Sequence, residues 1–133
     1  MPIHIMLRYM FSYGELCNLI EMARVYRMEN GWQVVIRAEW TDATAQQPHG
    51  IDYALILQDE RGVRILGIDN AHSFDGAAAH EPWDHEHKSG RVGQRFRYGF
   101  VSASQLITDF FERLEIHCAS QGVSSSFVDD DHG

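Results

Sequence analysis

The chain has 133 residues, of which 44% are hydrophobic and 23% charged, and its formal net charge is −8. These values are typical of one globular domain with its own core. No apolar run approaches the roughly 20 residues of a membrane span, and the acidic balance disfavours non-specific binding of nucleic acid, which needs a basic face. Neither of the two cysteines has a partner at zinc-site spacing, so both are predicted to be free thiols.

The first half of the chain predicts one helix and three strands. Ser12 and Glu15 match a capping box, and the apolar residues that follow recur at helical spacing until Asn30-Gly31 ends the pattern. Two later segments alternate apolar and polar residues on either side of a tight turn, which is typical of a hairpin. The predicted elements are an apolar arm at 1–12, a helix at about 13–28, a strand at 32–40, a loop at 41–50 and a hairpin at 51–57 and 63–68.

The second half predicts an irregular segment, a strand and a helix. Residues 69–90 have no apolar periodicity, whereas 94–101 alternate like a strand and Ser102 begins a second capping box for a helix that ends near Ala119. From Gln121 onward we expect a disordered acidic tail. The fold class is therefore α+β: residues 13–120 form one domain, an antiparallel meander sheet of about four strands with an N-terminal and a C-terminal helix on one face.

A cluster of histidines is the main functional signal. Five of the eight histidines lie between residues 49 and 87: His49, His72, His80, His85 and His87. Histidine changes its charge near neutral pH, so a cluster indicates proton transfer, metal binding or pH sensing. His85 and His87 are two residues apart, and in an extended segment both rings would point the same way.

Several motifs of this chain resemble the TumE-like toxins of bacterial and archaeal toxin–antitoxin pairs. The resemblance spans about residues 13–118 and is carried by His49 to Leu55, Asp59 to Gly62, the strand ending Gly67-Ile68-Asp69-Asn70-Ala71-His72, the later His-x-His, Tyr98 to Val101 and the Leu106 to Phe111 helix. It implies a small cytoplasmic protein that is encoded beside a DNA-binding antitoxin and neutralised by it. Many such toxins attack RNA, so the resemblance implies RNA as a substrate. A homodimer is left open.

The first functional hypothesis is a ribonuclease that needs no metal or other cofactor. Two histidines would act as general base and general acid on an RNA 2′-hydroxyl, and a cation would stabilise the charged phosphorane. The residues proposed for proton transfer and its support are Asp69, His72, His85, His87 and Lys88, with Arg91 as the alternative cation. Asp69 would orient a ring, and Asn70 and Trp83 would contact substrate.

Two other hypotheses stay open at this point. In a metal-dependent hydrolase, His85 and His87, together with either Asp69 or His72, would bind a divalent metal such as zinc, and Asp84 and Glu86 could join them. In a non-enzymatic module the sheet would bind a protein partner and the histidines would be incidental. For Asn70 and Asp84 alone, a local structural role as strand-ending residues is favoured.

Overall fold

The computed structural model describes residues 13–42, 49–70 and 84–129 of the chain. Their elements are, in chain order, α1 (13–21), β1 (Val25–Arg27), β2 (Gln33–Trp40), β3 (Ile51–Gln58), β4 (Arg64–Asp69), β5 (Asp84–Lys88), β6 (Arg91–Tyr98) and α2 (Ala103–Gln121). The strands form one antiparallel sheet in the order β1-β2-β3-β4-β5-β6. The predicted α+β class is confirmed, but the sheet has six strands where about four were predicted.

One face of the sheet packs against the helices and holds the hydrophobic core. On β3 the predicted alternation is confirmed, with Tyr53, Leu55 and Leu57 buried towards the helices. The helices contribute apolar residues to the same core: Leu19 from α1 and, at helical spacing, Leu106, Phe110, Leu114 and Cys118 from α2. We call this side the helix face. No helix among the described residues is long and apolar enough to cross a membrane.

The helix predicted over about 13–28 is too long. Helix α1 ends at residue 21, and Val25–Arg27 form β1, whose Tyr26 lies opposite Val34 of β2. Asn30-Gly31 is the turn between these strands rather than a helix stop: Asn30 Oδ1 accepts a hydrogen bond from Trp32 N at 2.7 Å, and Gly31 has φ 92°. Asn-Gly is a strong hairpin signal, and aromatic and β-branched residues pack well in strands.

The segment predicted to be irregular contains a strand. Asp84–Lys88 form β5, and Ser89-Gly90 make the short turn into β6, where Gly90 has φ 78°. Apolar periodicity could not reveal β5, because every residue in it is polar or charged. The strand is held instead by pairing on both edges, with β4 on one side and β6 on the other. Strand β6 covers Arg91–Tyr98, about three residues earlier than predicted.

The tail predicted to be disordered from Gln121 is ordered through Asp129, the last described residue. Phe127 forms a β-bridge with Met28, and Val128 N donates to Arg27 O at 2.9 Å. The Phe127 ring packs edge-on against Tyr26 and Phe111. One aromatic anchor and backbone pairing therefore bring this segment onto β1, although its composition is polar.

Candidate active site

A row of charged and polar residues crosses the sheet on the side away from the helices. The strand register places Arg37 opposite Ala54, Ala54 opposite Asp69, Asp69 opposite His85 and His85 opposite Arg97. Directly paired residues share one face of a sheet. We call this side the outer face, defined by Arg37, Ala54, Asp69, His85 and Arg97. Asp69 on β4 and His85 on β5 are neighbours at its centre. Arg37 lies two strands from Asp69, and Arg97 lies one strand from His85.

His87 joins Asp69 on the outer face. His87 Nε2 lies 3.2 Å from Asp69 Oδ2, and Arg64 Nη1 lies 3.9 Å from the same oxygen. Asp69, His85 and His87 are all buried, with exposed fractions of 8%, 0% and 6%. In a neutral imidazole, donation from Nε2 to a carboxylate leaves the lone pair on Nδ1. The pair can therefore fix a ring in the tautomer that a general base requires.

The cations predicted from the sequence do not lie beside these histidines. Lys88 Nζ sits over the Phe96 ring at 4.6 Å, and Phe96 pairs with Glu86, which contacts Arg113 of α2. Lys88 is therefore on the helix face. Arg91 pairs directly with Lys88 and is exposed at the start of β6. The reason is the two-residue period of a strand, which sends positions 86 and 88 away from 85 and 87.

Besides Arg37, the structure brings Arg64 and Arg97 to the outer face. Sequence reasoning missed Arg64 because it begins β4, at the far end of the strand from Asp69. Its Nη1 nevertheless lies 3.9 Å from Asp69 Oδ2. Arg97 alternates with Phe96 and Tyr98 along β6, and this alternation is the sequence signal that could have assigned its face.

Asn70 has a structural contact at the end of β4. Its side chain is completely buried, with Oδ1 accepting from Tyr53 N at 2.9 Å and Nδ2 donating to Ile51 O at 2.6 Å. The side-chain amide thus continues the pairing with β3 after the backbone of β4 turns away. This agrees with the local structural role favoured for Asn70, and its role as a substrate contact stays a prediction.

Asp84 belongs to a second polar cluster, on the helix face. Its Oδ2 accepts a hydrogen bond from the hydroxyl of Tyr53 and lies 3.3 Å from His49 Nε2. The His49 ring stacks on Phe100 with centroids 3.9 Å apart. Sequence reasoning did not pair His49 with Asp84, because 35 positions separate them and only the meander brings them together. The Tyr53–Asp84 contact joins β3 to β5 beyond the end of β4.

The environment of Tyr53 and Tyr98 shifts their proton equilibria. Burial, and then the neighbouring Asp84 carboxylate, raise the pKa of the Tyr53 hydroxyl far above its ordinary value. Burial and the hydrogen bond to Asp109 at 2.6 Å likewise raise the pKa of Tyr98. Burial opposes ionisation of Asp109, but hydrogen bonds from Tyr98 and Gln105 and the charge of Arg113 lower its pKa overall. Both tyrosines therefore act as hydrogen-bond donors to carboxylates.

Two of the ligands suggested for a metal ion, Asp84 and Glu86, lie on the wrong face of the sheet. Asp84 and Glu86 lie on the helix face, so they cannot join His85 and His87 around one ion. Within residues 13–42, 49–70 and 84–129, no group of three or more His, Cys, Asp and Glu side chains could hold a metal ion. His72, the third proposed ligand, and Trp83 both lie outside the described residues.

In comparisons with protein-family models, with curated proteins and with solved structures, no match to this chain was found. The resemblance to TumE-like toxins therefore remains an expectation from the motifs quoted above.

Proposed function

We propose that this protein is a ribonuclease toxin whose outer face cleaves RNA by metal-independent acid–base catalysis. The observation that carries the proposal is the contact between His87 Nε2 and Asp69 Oδ2 at 3.2 Å, with His85 directly opposite Asp69. A carboxylate-oriented imidazole beside a second imidazole, with arginines on the same face, is what cleavage through the 2′-hydroxyl requires.

The proposed reaction assigns a role to each ring. His87, oriented by Asp69, removes the proton from the 2′-hydroxyl, and the oxygen attacks the adjacent phosphorus. The bond from phosphorus to O5′ breaks, and His85 donates a proton to the leaving O5′. The products are a 2′,3′-cyclic phosphate and a free 5′-hydroxyl. Arg64 and Arg97 stabilise the dianionic phosphorane.

The positions of His85 and His87 support their roles as general acid and general base, but both side chains are buried. His85 and His87 lie two positions apart on β5, so their Cα atoms are about 7 Å apart. That spacing lets the two rings approach opposite sides of one phosphate. Because His85 is completely buried and His87 is 6% exposed, the proposal requires that the outer face opens when RNA binds.

The toxin role adds a partner and a compartment to the proposal. We expect a DNA-binding antitoxin, encoded next to this chain, to neutralise it, and we expect both proteins in the cytoplasm. This part rests on the resemblance to TumE-like toxins. A short helix-turn-helix protein in the neighbouring reading frame, able to relieve growth arrest when co-expressed, would support it.

The test is cleavage of RNA by purified wild-type protein and single variants. His85→Ala and His87→Ala should each lower the cleavage rate by about 10²- to 10⁴-fold and should relieve growth arrest on expression. His117→Ala is the matched control, because His117 lies on α2 and contacts Ser89 on the other side of the sheet. Circular dichroism and urea unfolding establish that each variant is folded.

Two further measurements keep the proposal falsifiable if a variant is unstable. Added imidazole should partly restore cleavage by His87→Ala, since a free base can replace the missing ring. Mass spectrometry should find 2′,3′-cyclic phosphate ends. Harmless expression of the wild type together with intact RNA would overturn the proposal, as would cleavage that is lost on chelation and restored by a divalent metal.

A further inference from the structure

A groove lies on the outer face next to the proposed catalytic residues. Its volume is about 590 Å³, and its walls come from the segment before β2, from β2 itself and from the start of β3. Ala54 lines the groove and is the direct neighbour of Asp69 in the next strand. Adjacent strands are about 4.8 Å apart, so the groove begins one strand away from the Asp69–His87 pair.

The groove combines a small apolar floor with four charged residues. Val35 and Ala54 contribute apolar surface. One charge comes from Arg24, whose guanidinium lies 4.5 Å from the centroid of the Tyr26 ring, and the other three come from Arg37, Glu39 and Asp52. Arg37 and Glu39 are exposed on β2, and Asp52 lies directly opposite Glu39 on β3. Within the described residues none of the three side chains forms a hydrogen bond or an ion pair.

The facing carboxylates of Glu39 and Asp52 favour a bound ligand. Like charges directly opposite each other across two strands destabilise a sheet, and Glu39 and Asp52 meet in this way. Arg37 lies two positions from Glu39 on the same strand, while Arg24 is held over the Tyr26 ring. A ligand that offers hydrogen-bond donors to the carboxylates and acceptors to Arg37 would relieve the repulsion. The ligand must also be flat and partly apolar to fit over Val35 and Ala54.

Guanine has this combination of groups. Its N1–H and N2–H₂ are adjacent donors that fit the two oxygens of one carboxylate, and its O6 and N7 are the acceptors that arginine binds in bidentate fashion. Arg37 and Glu39 are two positions apart on one strand, so their Cα atoms are about 7 Å apart, comparable to the size of a purine. Adenine, cytosine and uracil each lack part of this set.

From this complementarity we infer that the groove is a guanine-binding subsite that selects the nucleotide beside the cleaved phosphate. The inference deepens the proposed ribonuclease function and rests on it for its biological meaning. Base binding itself can be measured without any cleavage. The subsite predicts that this protein cuts RNA next to guanosine.

The first experiment titrates guanosine 5′-monophosphate into the full chain and follows the backbone amides by NMR. We expect shifts at residues 35–39 and 52–54, and binding at least fivefold tighter than that of the adenosine, cytidine and uridine monophosphates. Glu39→Gln, Asp52→Asn and Arg37→Ala should each weaken guanosine monophosphate binding about 5- to 150-fold, the range for a well-placed base contact. Glu60→Gln, in the exposed turn after β3, is the matched control.

The second experiment maps the cut sites in a mixed-sequence RNA for the wild type and Glu39→Gln. Loss of the guanosine preference in Glu39→Gln, with slower cleavage next to guanosine, supports the subsite. Cleavage without base preference, with no shifts in the groove, overturns the inference and leaves the proposed function intact. Guanine binding in the groove without any RNA cleavage would retain the subsite and refute the ribonuclease, and absence of both would refute both.

Discussion

Individual side chains decide which residues of β5 can work together. Asp84 and Glu86 contact partners on the helix face, whereas His85 and His87 share the outer face with Asp69. A substitution at one of these positions therefore tests one cluster only. Two Asp–His contacts within the described part of the chain, Asp69 with His87 and Asp84 with His49, lie on opposite sides of β5.

Tyr53 allows the helix-face cluster to be tested by pH. Its pKa is raised in the folded state by burial and Asp84, above the ordinary tyrosine value of 10.0. When the pH rises beyond that value, the unfolded chain loses this proton and the folded chain keeps it. The folded state then binds more protons, so the free energy of unfolding falls as pH increases. Tyr98, whose pKa is also raised, adds to the same trend.

The prediction is that Tyr53→Phe unfolds more easily than the wild type near neutral pH and that the gap narrows above pH 10. The loss near neutrality should be about 1–3 kcal/mol, the cost of leaving the buried Asp84 without this donor. Urea unfolding at a series of pH values measures both quantities. A gap that stays constant through the alkaline range would contradict the assigned pKa shift.

At the scale of elements, α2 is the clearest success of sequence reasoning. Ser102 is the N-cap as predicted, and its Oγ accepts a hydrogen bond from Gln105 N at 3.0 Å. The helix buries Leu106, Phe110, Leu114 and Cys118 and ends at Gly122 in the left-handed conformation. Local signals were sufficient for the start of the helix and for its apolar stripe, whereas the end predicted near Ala119 falls two residues short of Gln121.

Ser102→Ala should lower the free energy of unfolding by about 1 kcal/mol, because one N–H of the first turn loses its acceptor. Ser104→Ala is the matched control: it removes a hydroxyl from the same turn at an exposed position inside the helix. Urea unfolding of both variants measures the difference. Equal stability of the two variants would show that the Ser102 cap contributes nothing.

Elements that depend on distant partners could not be predicted in the same way. Strand β5 consists of Asp84, His85, Glu86, His87 and Lys88, and it is a strand because β4 and β6 pair with it. Residues 25–27 continue a helical pattern locally but pair with β2. For the candidate site, the sequence predicted that Asp69, His85 and His87 act together, and the structure places them on one face. The predicted cation Lys88 lies on the other face, because the face of each residue depends on where the strand begins.

At the scale of the whole molecule, one edge strand of the sheet is covered and the other is basic. The tail covers β1, with Phe127 bridging to Met28 beside that strand and Val128 N donating to Arg27 O. On the opposite edge, β6 carries the exposed residues Arg91, Arg95 and Arg97. Charged side chains on an edge strand oppose pairing with another chain. With a net charge of −8, this basic edge is also where electrostatic attraction of RNA would concentrate.

The tail provides the last prediction, because β1 has only three residues and its outer edge would be unprotected without residues 123–129. Ending the chain after Gly122 removes the hydrogen bonds from Glu29 N to Ser126 O and from Val128 N to Arg27 O, both 2.9 Å, and the Phe127 ring. The expected cost is on the order of 2–4 kcal/mol, with increased self-association through the exposed edge.

Ending the chain after Asp129 is the control, since this variant keeps Phe127 and both hydrogen bonds. Urea unfolding should show a lower midpoint only for the shorter chain, and light scattering should find larger species only there. Identical midpoints for the two truncations would mean that the pairing of the tail contributes no stability. If the shorter chain remains folded and matches the full chain in the proposed RNA cleavage assay, the tail protects the sheet edge and has no part in the proposed reaction.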